Sequence, residues 1–123
     1  MALVDTGSGA SLIRERFYKT LKDQGKLEEA GVDLYDVSNN QVLTKGKVTL
    51  KFQFGDVDQL DQEFIVVNAM KLNCIIGQDA IEKHEMIIDG KLKTVYRIIF
   101  EDGTTEDSFL LTNPYNITIP PPP

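Results

Sequence analysis

At 123 residues, with 41% hydrophobic and 26% charged side chains, the chain is long enough for one domain with a real core and too apolar for a disordered one. Thirteen basic against 19 acidic residues give a formal charge of -6 with no Lys/Arg run, which argues against a nucleic-acid partner. No apolar stretch approaches the roughly 20 residues that span a bilayer, no signal peptide opens the chain, and the single cysteine cannot form an intrachain bridge, so a soluble cytoplasmic protein without membrane contact is expected.

The chain opens on "ALVDTGSGASLI", Ala2 to Ile13, a strand-like apolar run that meets an acid, Asp5, and then small residues. Ser11 stands where it can cap a helix in which Leu12, Ile13, Phe17 and Leu21 fall near one face, with Gly25 as the stop. From Val32 the pattern shifts to short β-type runs: "VDLYDV", then "VTLKFQF" with alternating Val48, Leu50, Phe52 and Phe54, then "EFIVV". "SNNQ" and "KG" punctuate the first pair, so Tyr35 to Val48 is expected as a hairpin with a polar tip, and "FGDVDQLDQ" as a surface loop.

"NCIIGQDAIEKH" reads as a strand through Ile75 and Ile76, a break at Gly77 and a short helix from Gln78 to Lys83. "IIDGKL" and "FEDGTT" each carry an Asp-Gly pair, the strongest short hairpin signal. The closing "NPYNITIPPPP" ends in prolines, which favour an extended polyproline conformation; residues 113–123 are expected as a tail or linker to a domain of residues 1–112. The triplet Asn116-Ile117-Thr118 fits a glycosylation sequon, but without a secretion signal it is set aside.

An unpaired buried charge costs several kcal/mol, so Asp5 at the end of an apolar run needs a reason. Thr6, Gly7 and Ser8 supply one, because backbone N–H groups and hydroxyls can donate to a carboxylate and glycine lets the backbone turn sharply. A Ser8 hydroxyl donating to the ionised carboxylate would hold it in the charged form. The plainer alternative is an ordinary Asp-Thr-Gly turn at a strand end.

Other features have bland explanations. "GSGAS" lacks the Gly-Lys-Ser/Thr ending of a phosphate loop. His84, the only histidine, follows a short charged helix as a solvated helix end, and Cys74 beside Ile75 suits a small buried hydrophobe. Asp56, Asp58 and Asp61 lack an ordered calcium-loop pattern and read as a solvated loop, so no metal site is expected.

Through "ALVDTGSGASLI", the glycine-bounded "KGKVTLKFQFG" and "NCIIGQDAI", the sequence resembles the retropepsin-like aspartic proteases of retroviruses and LTR retrotransposons over roughly Ala2 to Leu92. The resemblance implies a mainly β, acid-protease barrel with one or two short helices, each chain being half of a two-fold homodimer around a peptide-binding cleft. It makes Asp5 the catalytic acid, Thr6 the residue that locks the two loops together and Gly7 a tight backbone contact. Ile75, Ile76 and Gly77 would pack beneath that loop, and the hairpin with Ser38, Asn39 and Asn40 near its tip would be the flap. The implied activity is peptide hydrolysis in polyprotein processing, with no cofactor. A catalytically silent dimerisation or protein-binding module that keeps the fold is the alternative.

Family members carry one or two strands ahead of the Asp-Thr-Gly, and here only "MALV" precedes it, so the first strand is expected to be missing. The strand-turn-strand "TVYRIIFEDGTTEDSFLL" could fill that place, with Val95 to Phe100 beside Leu3 and Val4, or could be an extension at the far edge.

Overall fold

A computed structural model describes residues 2–5, 7–36, 38–55, 57–86 and 97–111. The elements in chain order are β1 (Ala2–Asp5), β2 (Leu12–Arg14), α1 (Glu15–Tyr18), β3 (Leu34–Tyr35), β4 (Gln41–Val42), β5 (Thr44–Phe54), β6 (Val57–Val67), β7 (Cys74–Ile76), α2 (Gln78–Lys83), β8 (Arg97–Phe100) and β9 (Thr105–Leu111). Seven of the strands close a barrel in the order β1-β7-β2-β6-β5-β8-β9, and β3 with β4 forms a separate small sheet.

The long antiparallel ladder of β5 and β6 is the frame. Val48, Leu50, Phe52 and Phe54 are buried while Lys45, Thr49 and Lys51 are exposed, the period-two alternation that one buried face requires. Inside, Phe17 meets Phe100 edge-on at 5.5 Å between ring centroids, and Phe52 meets Phe64 the same way at 5.9 Å. Each such pair adds about 0.5–1.5 kcal/mol beyond its buried area.

The helix expected from Ser11 is replaced by strand β2 and a single turn, α1. Leu12 and Ile13 pair with Ile65 and Val66 of β6 on one side and with Ile75 and Cys74 of β7 on the other. Two partner strands give the β-branched Ile13 a fully buried slot, which outweighs a local helical spacing. Gly25 (φ +63) lies well beyond the helix and packs toward the Thr49 carbonyl instead.

The polar run after Phe54 is also strand rather than loop. The chain turns at Gly55 (φ +58) and re-enters the ladder at Val57, so that Lys51 faces Asp61 and Leu50 faces Gln62. The expected hairpin exists but is shorter than Tyr35 to Val48: Leu34 pairs with Val42 and Tyr35 with Gln41, and from Thr44 the chain belongs to the barrel. Its turn is held by Asp36 Oδ1, which accepts from Ser38 N and Asn40 N, both at 2.9 Å.

β1 has parallel neighbours on both sides, β7 and β9. The "FEDGTT" hairpin forms between β8 and β9, with Gly103 at φ +90. The strand beside Leu3 and Val4 is β9, through Phe109 and Leu110; Arg97–Phe100, for which that place is one of two left open by the sequence, lies one strand further out against β5. Antiparallel pairing of β8 to both β5 and β9 fixes that order. "IIDGKL" and the proline-rich tail lie outside the described residues.

Candidate active site

Asp5 ends β1 and begins the loop that links it to β2. Its Oδ1 accepts a hydrogen bond from Gly7 N at 2.8 Å, and its backbone carbonyl accepts from Ser8 N at 3.1 Å, closing a tight turn. A carboxylate at a strand end thus receives a backbone donor two residues on, the short-range pattern expected of aspartate at a turn. Thr6 lies outside the described residues.

Ser8 does not serve as a second donor to Asp5. Its Oγ donates to the Ala10 carbonyl at 2.7 Å, because the chain doubles back after Gly7 and brings that acceptor closer. The Asp5 carboxylate therefore keeps Gly7 N as its observed partner.

Gly77 underlies the returning limb of the loop. A Cβ atom built there would stand 2.5 Å from the Ala10 carbonyl oxygen and 2.8 Å from that of Ser8, a gap that only glycine fits. Gln78 N donates to Ser8 O at 2.7 Å, and Gly77 N donates to Ser11 Oγ at 3.0 Å. Parallel pairing of Leu3 with Ile75 and Val4 with Ile76 brings β7 alongside β1, so that Gly77 arrives under the loop. Ile76 is wholly buried, while Ile75 shows one side to a cleft.

That cleft holds about 840 Å³. Gly7, Ser8 and Ala10 lie along it on the loop side, Ile65 and Val67 line it from β6, and Leu34, Tyr35 and Asp36 reach it from the hairpin. Ser38, Asn39 and Asn40 sit exposed at the hairpin turn and do not line it, whereas Tyr35 and Asp36 do. Asp36 and Asp79 also border the cleft, but each is committed to donors of its own.

The sequence pattern singles out neither Gln62 nor Asp79 and makes Ser11 a helix cap, whereas the structure brings the three together. Ser11 is fully buried and Gln62 nearly so, and both bond Asp79: Ser11 Oγ at 2.7 Å and Gln62 Nε2 at 3.0 Å. An acid placed two residues after the Gly77 break was the available signal. His84 is not a free helix end either, since its Nε2 lies 3.1 Å from Gln62 Oε1. Burial, then the Lys83 charge, hold its pKa below the usual histidine value. Cys74 is buried at the centre of the barrel wall, and burial followed by the Glu106 charge pushes its thiol up to about 12. Among the described residues no group of three or more His, Cys, Asp or Glu side chains could hold a metal ion, and no helix is long and apolar enough to cross a membrane.

No protein-family model and no curated protein matches the chain. Among solved structures it is similar to the retroviral protease-like domain of Ddi1 from Leishmania major, with a TM-score of 0.51 at 19% identity over 86% of this chain and 80% of that one. At that identity the likeness shows the fold: a mainly β, retropepsin-like barrel with short helices.

Proposed function

We propose that the chain is an aspartic endopeptidase that works as a homodimer, with Asp5 of each copy forming the catalytic pair. The observation that carries this reading is the Asp5 carboxylate held by Gly7 N at 2.8 Å, on a loop that borders the cleft and rests on Gly77. One chain supplies one such acid, and the chemistry needs two. Carboxylates about 3 Å apart cannot both ionise, so the pair shares one proton and offers an acid and a base together. The ionised member takes a proton from water as that water attacks the scissile carbonyl, and the protonated member hydrogen-bonds the developing oxyanion. The two apparent pKa values then belong to the pair.

The substrate in this reading is an extended peptide lying in the cleft beneath the β3–β4 hairpin, with Thr6 joining the two loops and a polyprotein in the cytoplasm as its source. The apolar wall of Leu12, Ile65, Val67 and Ile75 supports a peptide with apolar side chains. The second reading, a protein-binding or dimerisation module without turnover, is favoured by the neighbour being a protease-like domain. Sedimentation at micromolar concentration, with peptide cleavage at acidic pH in the presence and absence of pepstatin, separates the two. A dimer with pepstatin-sensitive cleavage supports the endopeptidase; a dimer that binds peptides without cutting them supports the module.

A further inference from the structure

The hydroxyl of Ser11 is used twice inside the protein, donating to Asp79 Oδ1 at 2.7 Å and accepting from Gly77 N at 3.0 Å. Asp79 Oδ1 also accepts from Ala80 N at 2.8 Å, and its Oδ2 accepts from Gln62 Nε2 at 3.0 Å. A carboxylate only accepts, so Gln62 must turn its amide nitrogen to Asp79 and leave Oε1 for His84 Nε2, 3.1 Å away. Two relays therefore run inward to one carboxylate, from Gly77 through Ser11 and from His84 through Gln62, while the second Gln62 amide hydrogen goes to the Glu63 carbonyl at 2.9 Å. Three elements far apart in sequence meet there: the loop after β1, strand β6 and the start of α2.

We propose that Asp79 is the positioning residue of the Asp5 loop. By fixing Ser11 over Gly77 it anchors the returning limb, whose Ser8 carbonyl also takes the hydrogen bond from Gln78 N at 2.7 Å. The other end of that limb carries Gly7, the donor to Asp5. Asp79 thus acts on Asp5 through Ser11 and the loop backbone. Its consequence for catalysis rests on the endopeptidase reading; its structural role does not.

The test is amide hydrogen exchange followed by NMR on the intact chain. Asp79→Asn keeps the shape but sets an NH₂ group against one of the two side-chain donors, and Ser11→Ala removes the link from the other end. Either variant is expected to speed exchange at Gly77 and Gln78 by about tenfold, the scale of one charge-assisted hydrogen bond. The Gly7 resonance should move with them, while Leu50 and Phe52 in the β5–β6 ladder keep their rates. The double variant should exchange no faster than the worse single, since both cut one chain of bonds. Should Asp79→Asn fail to fold, Ser11→Ala carries the same comparison. In an active parent, kcat should fall at least about tenfold with KM held within about twofold. Unchanged exchange at Gly77 and Gln78, additive effects in the double variant, or a rise in KM alone would overturn the proposal. A parent that cleaves no peptide defeats the endopeptidase reading and leaves the exchange rates to decide Asp79.

Discussion

Gly77 and Ala10 approach so closely that a Cβ atom on Gly77 would stand 2.5 Å from the Ala10 carbonyl oxygen. That oxygen is backbone in a loop already tied by Gln78 N and Ser11, so it cannot swing aside as a flexible side chain could. Gly77→Val is therefore expected to lower stability by at least about 1–3 kcal/mol, the usual cost of overpacking. Urea denaturation checks it, and an unchanged midpoint would mean that the loop does not rest on Gly77.

What was legible in the sequence follows from how local each signal is. "CIIGQDAIEK" announces a strand, a break and a helix, and the structure has β7 over Cys74–Ile76 and α2 over Gln78–Lys83. Ser11 was misread as a cap because a serine before apolar residues looks the same whether it caps a helix or meets an acid 68 residues away. "FGDVDQLDQ" looked like a loop because polar residues on the outer face of a long hairpin carry no local mark of their partner strand; Asp61 is exposed and Gln62 buried in the same ladder. The place of β9 beside β1 depends on closure of the whole barrel, which no window of sequence reports. For the site, Asp5 and its glycine donor were readable as a motif, whereas Asp79 was hidden because its partners come from β6 and the first loop.

Ser8→Ala tests the turn around Asp5. Because Ser8 Oγ donates to Ala10 O at 2.7 Å, removing it should cost about 1 kcal/mol of stability, the net worth of one ordinary hydrogen bond. Both limbs of the pH profile of kcat/KM should stay in place. Limbs displaced upward would mean that the hydroxyl donates to the catalytic carboxylates in the working dimer.

Cys74 is expected to be chemically silent in the folded chain. Its thiol is fully buried and pushed up to about 12, so very little thiolate exists near neutral pH. Labelling by an aromatic disulfide reagent should proceed at the rate of unfolding and accelerate in urea. Rapid stoichiometric labelling of native protein would contradict this burial.

His84 gives the fold a pH dependence of definite sign. Burial first, and Lys83 second, lower its pKa from the ordinary 6.5, so the folded chain binds this proton less readily than the unfolded one. The stability due to neutral His84 is complete above the unfolded value and declines as pH falls through 6.5 toward the folded value. His84→Gln, which keeps a donor for Gln62 Oε1, should lose less stability than the parent between about pH 8 and pH 5. Denaturation midpoints of both proteins across that range would show it; a constant difference would remove His84 from the balance.

The central claim, that Asp5 performs peptide hydrolysis, is tested most directly by Asp5→Asn. The asparagine oxygen can still accept from Gly7 N, so the fold and its melting temperature should persist while the base is lost. Cleavage of an extended apolar peptide at acidic pH, by protein shown to be dimeric, should fall at least about a hundredfold, the lower end of what a positioned base contributes. Purified Asp5→Asn dimer that cleaves the peptide at the parent's rate would contradict the assignment.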